Sequence, residues 1–143
     1  MLTPSHCDLK SKESVTSALM GAHAAFLSAD TWTIGSLDEE VAQGKLVTDI
    51  AKETGLQRLI YCSQNSATDL SGGKLRNMIH FDGKNEVEQY IRASGIPTTT
   101  FVLPGIPMTR FMGDIKPGVI YNFGVPVRGT AQLPLLDAKD MGM

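Results

Sequence analysis

The pattern of apolar and polar residues along most of the chain predicts helices and strands in turn. Apolar residues at helical spacing follow the N-cap candidate Ser11 and stop before Gly21, which predicts a short first helix. The apolar run at 22–27 is typical of a strand buried on both faces. A longer helix is predicted over 37–54, because an acidic first turn opens it and Gly55 follows its end.

The same alternation continues through the middle of the chain. The run 58–62 predicts a second strand, and a polar, glycine-containing loop is predicted over 63–74. A third helix is predicted from about His80 to Ser94, and a β-branched strand follows at 98–103. Helices and strands of these lengths in alternation predict an α/β domain with a parallel sheet.

Signals for regular structure weaken beyond Phe111. Two short apolar segments, 119–123 and 133–136, are candidate strands, with proline and glycine between them. Composition leaves the α/β prediction unchanged, since 143 residues with 42% hydrophobic and 20% charged residues are typical of one folded domain.

Charge and cysteine content disfavour several classes of function. A formal net charge of -2 offers no basic surface for nucleic acid or anionic lipid. Cys7 and Cys62 are too few for a disulfide framework or a CxxC metal site, and the three histidines follow no ligand spacing. No segment resembles a signal peptide or a membrane span, so we expect a cytoplasmic protein without membrane or direct nucleic-acid partners.

Small or polar residues follow each of the three predicted strands, at 28–30, 63–65 and 104–106. In open parallel sheets ligands bind beyond the carboxyl ends of the strands, so a ligand would approach the backbone closely at these segments. The alternative is that these loops are polar only because solvent-exposed backbone needs hydrogen-bond partners.

A lysine lies on the core-facing stripe of the third predicted helix. The residues at i, i+4, i+7 and i+11 that share this face are His80, Lys84, Val87 and Ile91. Val87 and Ile91 are expected to face the sheet, which places Lys84 nearer the strand ends. The lysine either snorkels, with a buried stem and a solvated ammonium, or lines a cleft with Ser63 and donates hydrogen bonds to a ligand.

Several segments carry a recognisable order of motifs. The most specific one is the third helix, in which Lys84 precedes the pattern VExxxRxSGxP at 87–97. The strand 57–63, the strand and PG turn at 101–105, and the segment 133–142, whose aspartates flank a strand-to-helix junction, follow the same order. Together with the segment 8–27, these motifs resemble the NmrA-like family of atypical short-chain dehydrogenase/reductases over nearly the whole chain.

The resemblance implies a Rossmann-type domain that binds NAD or NADP, followed by a small substrate domain. None of the fourteen glycines forms the GxxGxxG turn of that family, so we expect the chain to begin at the family's third strand. The expected fold is α/β, a partial Rossmann-type doubly wound parallel sheet lacking the first βαβ unit. Residues 1–111 would belong to the nucleotide-binding domain, and residues 112–143 would start the substrate domain. Because the glycine-rich turn holds the pyrophosphate through backbone N–H groups, its absence predicts weaker cofactor binding.

The resemblance also implies roles for individual residues. Lys84 would lie at the nicotinamide ribose and Ser63 near the reacting centre. The Tyr-x-x-x-Lys pair of active dehydrogenases is His80-x-x-x-Lys84 here, and histidine exchanges protons near neutral pH. The implied catalytic residues are Lys84, His80 and Ser63. The implied cofactor-binding residues are Ser28 and Ala29 along the cofactor, Ser63, Lys84, and Pro104, Gly105 and Ile106 beside the nicotinamide; no metal site is implied.

The activity implied by the resemblance is NAD(P)-dependent hydride transfer to or from a small carbonyl, enone or quinone-like substrate, in secondary metabolism. A non-catalytic NAD(P)-sensing regulator that binds a transcription factor is the alternative, and an inactive truncated fragment is the third reading. A sheet without its first strands has an unpaired edge, so self-association or a protein partner at that edge is also expected.

Overall fold

The computed structural model describes residues 6–109 and 128–142 of the chain. The chain divides into two compact units, Met1–Leu103 and Pro104–Met143. The predicted strand at 119–123 and the predicted domain boundary between residues 111 and 112 lie outside the described residues.

The first unit alternates helices with strands as the sequence pattern predicts. Its elements in chain order are α1 (Lys12–Leu19), β1 (Ala24–Leu27), α2 (Thr31–Ile34), α3 (Leu37–Glu53), β2 (Arg58–Cys62), α4 (Ala67–Leu70), α5 (Ile79–Ser94) and β3 (Thr98–Val102). The predicted long elements are confirmed to within two residues. The prediction of a loop over 63–74 is wrong in part, because α4 lies within it; four-residue helices such as α2 and α4 give no helical period in the sequence.

Side-chain caps fix the starts of two core helices. The hydroxyl of Ser11 accepts a hydrogen bond from the N–H of Ser14, and the hydroxyl of Ser36 accepts one from the N–H of Glu39. Gly95 ends α5 in the left-handed region with a φ of 80°. Because an N-cap satisfies an otherwise orphaned N–H group and a left-handed glycine ends a helix, these positions fix the helix bounds.

The three strands of the first unit form one parallel sheet in the order β1–β2–β3, which confirms the predicted parallel α/β fold. Leu27 is in register with Tyr61, and Tyr61 with Phe101. The N–H of Ser63 donates to the carbonyl of Val102 at 2.8 Å, so the ladder continues one residue beyond β2. The carboxyl ends of the strands therefore lie together at one edge of the sheet.

One face of the sheet packs against α1, α3 and α5. Leu59 and Tyr61 of β2 are 0% and 1% exposed and belong to the same buried cluster as residues of all three helices. Val87 and Ile91 of α5 are 0% and 1% exposed, which confirms the predicted core-facing stripe.

Helices α3 and α5 approach each other closely at a glycine, Gly44. A Cβ atom at Gly44 would lie 2.5 Å from Cγ2 of Val87, far inside van der Waals contact. The absence of a side chain at Gly44 therefore lets the two helices come together at this point.

The opposite face of the sheet is open in the described part of the chain. Phe26, Ile60 and Thr100 are in register across the three strands and alternate with core positions. The side chain of Phe26 is 50% exposed and Thr100 is exposed as well. This face carries apolar surface that a single copy of the described residues leaves in solvent.

The second unit contains a two-stranded parallel ladder. Strand β4 (Ile106–Pro107) pairs with β5 (Leu135–Leu136), and a 3₁₀ helix spans Ala138–Gly142. The candidate strand at 133–136 is thus found in shortened form. A Cβ atom at Gly105 would lie 2.4 Å from the carbonyl oxygen of Pro134, so glycine is needed at this crossing.

Asp82 on α5 holds the segment that follows β2. Its carboxylate accepts hydrogen bonds from the hydroxyl of Ser66 at 3.0 Å and from the N–H and hydroxyl of Thr68 at 3.1 and 2.8 Å. These contacts join the start of α4 to the first turns of α5, so the segment between them is fixed at both ends.

The hydrogen bonds to Asp82 predict a loss of stability in acid. The N–H of Thr68 is the largest influence that lowers the pKa of Asp82 below its ordinary value, against an opposing desolvation, and the hydroxyls of Thr68 and Ser66 lower it further. Since the folded pKa lies below the unfolded one, the carboxylate stabilises the fold above about pH 4, and this contribution is lost as the pH falls through the folded value. We expect the difference in free energy of unfolding between wild type and Asp82→Asn, from urea titrations, to stay constant above about pH 5 and to shrink below about pH 4. A difference that persists undiminished at low pH would contradict this reading.

Two helical glycines form a matched test of the α3–α5 contact. Gly44→Ala should destabilise the fold by about 1–3 kcal/mol, because the new methyl group collides with Val87. Gly83→Ala should be neutral or stabilising by up to about 1 kcal/mol, because a Cβ there meets its nearest neighbour at 3.6 Å and alanine favours the helix. Urea unfolding followed by circular dichroism measures both, and equal effects would contradict the close approach.

Candidate functional site

Lys84 reaches the end of β1 from the adjacent helix. Its Nζ lies 2.8 Å from the carbonyl oxygen of Ala29, two residues beyond the last residue of β1. The same atom lies 2.8 Å from Oε1 of Glu40 on α3. The lysine side chain is 12% exposed, so the ammonium is held inside the first unit as a paired charge and does not snorkel to bulk solvent.

Glu40 is the partner that the sequence pattern does not identify. Its side chain is completely buried, and its Oε2 has no hydrogen-bond partner in the described part of the chain. The sequence places it in the acidic first turn of α3, which is correct, but it also lies on the stripe of buried residues formed with Gly44, Val47 and Ala51. The sequence does contain one signal for this pair. Glu40 lies on the core-facing stripe of one helix and Lys84 on that of another, and two opposite charges at buried positions are expected to pair.

Helix packing brings the two charges together. Lys84 precedes Val87 by three residues and Glu40 precedes Gly44 by four, so each charge lies one turn before the close contact of α3 with α5. Because helical side chains tilt toward the N-terminus of their helix, both reach the edge where the strands end. The site is therefore a direct consequence of the helix contact.

Ser63 lies at the end of β2 and is completely buried. Its hydroxyl donates over 3.4 Å to its neighbour's carbonyl at Gln64 and over 3.5 Å to the carbonyl of Lys84. These long hydrogen bonds join the strand end to the backbone of α5. The structure thus brings Ser63 next to the backbone of Lys84, with its hydroxyl directed at carbonyl groups.

His80 lies in the first turn of α5, one turn before Lys84, and is partly buried. Its ring contacts that of Phe81 at a centroid distance of 4.6 Å and an angle of 55°. This contact restricts the orientation of the histidine ring.

The remaining predicted residues fall into two groups. Ser28 is exposed at the end of β1, and Ala29 contributes its carbonyl oxygen to Lys84. Pro104, Gly105 and Ile106 belong to the second unit, where the N–H of Ile106 donates to the carbonyl of Pro134 at 2.8 Å. Their roles beside a nicotinamide stay predictions.

Tyr61 is the second buried polar group near this pair. Its side chain is 1% exposed, and its hydroxyl has no hydrogen-bond partner among the described residues. Burial raises the pKa of Tyr61, and the negative charge of Glu40 raises it further. The phenol is therefore neutral at physiological pH.

An apolar groove of about 300 Å³ borders the start of α5. Phe81 lines it from the helix, three residues before Lys84. Its lining from the preceding segment includes Asn65, Leu70, Ser71, Leu75 and Met78. Leu70 and Leu75 are 77% and 54% exposed, so the groove presents hydrophobic side chains to solvent.

Within residues 6–109 and 128–142, no cluster of three or more histidine, cysteine or acidic side chains is arranged to bind a metal ion. No helix in this part of the chain combines the length and apolarity needed to cross a membrane.

Comparison with known proteins gives oxidoreductases among the relatives. The chain is 30% identical over 108 residues to the NmrA-like family domain-containing oxidoreductase lnaB of Aspergillus flavus, covering 72% of this chain and 32% of that protein. It is 28% identical over 113 residues to the oxidoreductase malD of Malbranchea aurantiaca, covering 72% of this chain and 32% of that protein. The chain thus spans about a third of the length of these curated relatives.

Solved structures share the same fold. NmrA, a negative transcriptional regulator, in complex with NAD matches with a TM-score of 0.64 and 29% identity, covering 76% of this chain and 32% of that one. Its complex with NADP matches with a TM-score of 0.59 and 30% identity, over 69% of this chain and 29% of that one. A triphenylmethane reductase of Citrobacter sp. complexed with NADP(H) matches with a TM-score of 0.58 and 20% identity, over 74% of this chain and 34% of that one, a likeness of fold.

The sequence profile of the NmrA-like family matches residues 3–143, nearly the full length of the chain. The order of strands and helices and the similarity to NmrA agree with that match. The chain belongs to the NmrA-like family.

Proposed function

We propose that this chain supplies the nicotinamide-facing part of an NAD(P)-dependent oxidoreductase of the NmrA-like family. The observation that carries the proposal is the ammonium of Lys84, held at the carboxyl end of β1 by the carbonyl of Ala29 and the carboxylate of Glu40. Ligands of open parallel sheets bind at this edge.

The donor set fits the ribose of a nicotinamide nucleotide. An ammonium has three N–H donors, and two of them serve Ala29 and Glu40. The third has no acceptor in the described part of the chain, so it is free to donate to a ribose hydroxyl. The fit covers the nicotinamide side only, because no GxxGxxG turn for the pyrophosphate occurs in the sequence.

A bound nicotinamide would supply the hydride. The residues of this chain would position the nucleotide and exchange a proton with the substrate. Lys84 donates a hydrogen bond that orients the ribose and thereby the ring attached to it. His80, one turn earlier on α5, holds a proton on a ring nitrogen and exchanges it with the substrate oxygen. Ser63 keeps the end of β2 against α5 through its hydroxyl, which fixes the spacing between them.

The apolar groove beside Phe81 supports an apolar organic substrate. Its volume of about 300 Å³ lies at the lower end of the range for small-molecule sites. Leucine, methionine and phenylalanine side chains would bury the carbon skeleton of a quinone, enone or carbonyl compound. Asn65 offers an amide for a substrate oxygen.

A non-catalytic nucleotide sensor is the second candidate function. Histidine at position 80 replaces the tyrosine that active dehydrogenases place four residues before the lysine. The similarity to NmrA, a negative transcriptional regulator solved with NAD, favours the same reading. In this case the nucleotide would be bound without turnover, and a protein would be the partner.

The open sheet face is a further surface for protein contacts. Phe26, Ile60 and Thr100 form an in-register patch, and β1 and β3 each pair with a single strand within the described residues. Exposed apolar surface and unpaired strand edges promote association. We infer self-association through this face or edge.

A nucleotide titration tests the proposed function. NADPH or NADH fluorescence should saturate with wild-type protein, and Lys84→Met should weaken the binding by about 10-fold to 100-fold, because one charge-assisted hydrogen bond is lost. Lys45→Met is the matched control, since Lys45 forms a more exposed ion pair with Glu86 and should leave the affinity unchanged.

Three outcomes separate the candidate functions. Binding together with NAD(P)H oxidation on a panel of quinones and carbonyl compounds supports the oxidoreductase. Binding without turnover supports the sensor. Absence of saturable binding by folded protein at millimolar nucleotide contradicts both and leaves an inactive fragment.

Self-association has its own test. Light scattering after size-exclusion chromatography should give a mass that rises with protein concentration, and Phe26→Lys should shift the equilibrium toward the monomer by placing a charge on the open face. A monomer at every concentration, with a sharp and reversible melt, would refute the inference.

A further inference from the structure

We propose that Glu40 is a positioning residue that directs the free N–H of Lys84 toward the nucleotide. This inference rests on the proposed function, and it assigns a role to a residue on a different helix from the lysine. Glu40 itself is completely buried and touches no ligand in this proposal. It acts only through the ammonium that it holds.

Two acceptors on different elements fix the orientation of one ammonium. The carbonyl of Ala29, after β1, and Oε1 of Glu40, on α3, both lie 2.8 Å from Nζ. A single acceptor would leave the ammonium free to rotate about the hydrogen bond. When two of the three N–H groups are engaged, the tetrahedral geometry of the nitrogen fixes the direction in which the third N–H points.

The carboxylate itself is held by its surroundings. The Glu40 side chain is 0% exposed, and its Oε2 lies beside Gly83 of α5, where an added Cβ atom would be at an ordinary contact distance of 3.6 Å. Helix α3 is fixed against α5 at Gly44, one turn further along. The packing of α3 against α5 thus fixes the position of the Glu40 carboxylate, and the carboxylate fixes the Lys84 ammonium.

Stability alone does not explain such a pair. Desolvation of two charges offsets most of their attraction, and apolar residues of similar volume often stabilise a core as well. Oε2 of Glu40 also lacks a hydrogen-bond partner among the described residues, which is unfavourable for a purely structural ion pair. Placing a donor at the strand ends gives the pair a role that apolar residues do not provide.

Nitrogen NMR of the lysine side chains reads the pairing directly and without nucleotide. In the ¹⁵N-labelled chain, a buried and hydrogen-bonded ammonium exchanges its protons slowly and gives a signal, which Lys84→Met assigns by its loss. Glu40→Gln should speed the exchange of this signal at least 10-fold or abolish it. Glu86→Gln, which breaks the more exposed pair with Lys45, should leave the Lys84 signal in place.

Affinity measurements then distinguish a positioning role of Glu40 in nucleotide binding from a purely structural role. NADPH binding to Glu40→Gln should weaken at least 10-fold although Lys84 is still present. The double variant Glu40→Gln/Lys84→Met should bind no more weakly than Lys84→Met, because both changes remove the same contact. If Glu40→Gln reduces the folded fraction, Glu40→Asp serves instead, since it keeps the charge and withdraws the carboxylate by one methylene; its affinity should be intermediate.

Each alternative result has a distinct meaning. An unchanged Lys84 signal in Glu40→Gln overturns the pairing. A lost signal with unchanged NADPH affinity, while Lys84→Met binds weakly, overturns the positioning role and leaves the proposed function standing. No NADPH binding by the wild type overturns the proposed function and the nucleotide role of Glu40 together, and the NMR result then reports the pairing alone.

Discussion

A buried ion pair between Lys84 and Glu40 is the constraint on which the arrangement of the strand ends depends. It joins α5 to α3 and, through the carbonyl of Ala29, joins both to the segment after β1. Removal of one partner of such a pair costs about 3–5 kcal/mol, because the other charge stays buried without compensation. The fold therefore keeps an ammonium at an edge where α/β proteins bind ligands.

The rest of the first unit provides the geometry that this pair requires. Gly44 lets α3 approach Val87 of α5, and the parallel register of β1, β2 and β3 aligns the strand ends with the helix starts. Asp82 holds α4 to α5 and so shapes the segment that lines the apolar groove. Lys84 and Phe81, which lines the groove, thus lie within one turn of each other along α5.

The long helices and strands and the position of Lys84 on a core-facing stripe could be predicted from the sequence. Glu40, the ion-pair partner of Lys84, could not. Helical period and caps locate α3 and α5 because their apolar stripes are long, and Lys84 stands out because a charge interrupts such a stripe. The helical period shows which face of a helix is buried, but it does not show which helices pack against each other. In the sequence Glu40 is therefore indistinguishable from the other acidic residues in the first turn of α3. Helices α2 and α4 are too short to show a period, and the burial of Ser63 depends on packing against α5 that no local pattern encodes.

The most direct test of the account is a crystal structure of the chain with NADPH, in which the contacts of Lys84 Nζ are measured. We predict that Nζ keeps its hydrogen bonds to Ala29 and Glu40 and lies within about 3.2 Å of a ribose hydroxyl. A nucleotide bound elsewhere, or an ammonium that leaves Glu40 when the nucleotide binds, would contradict it.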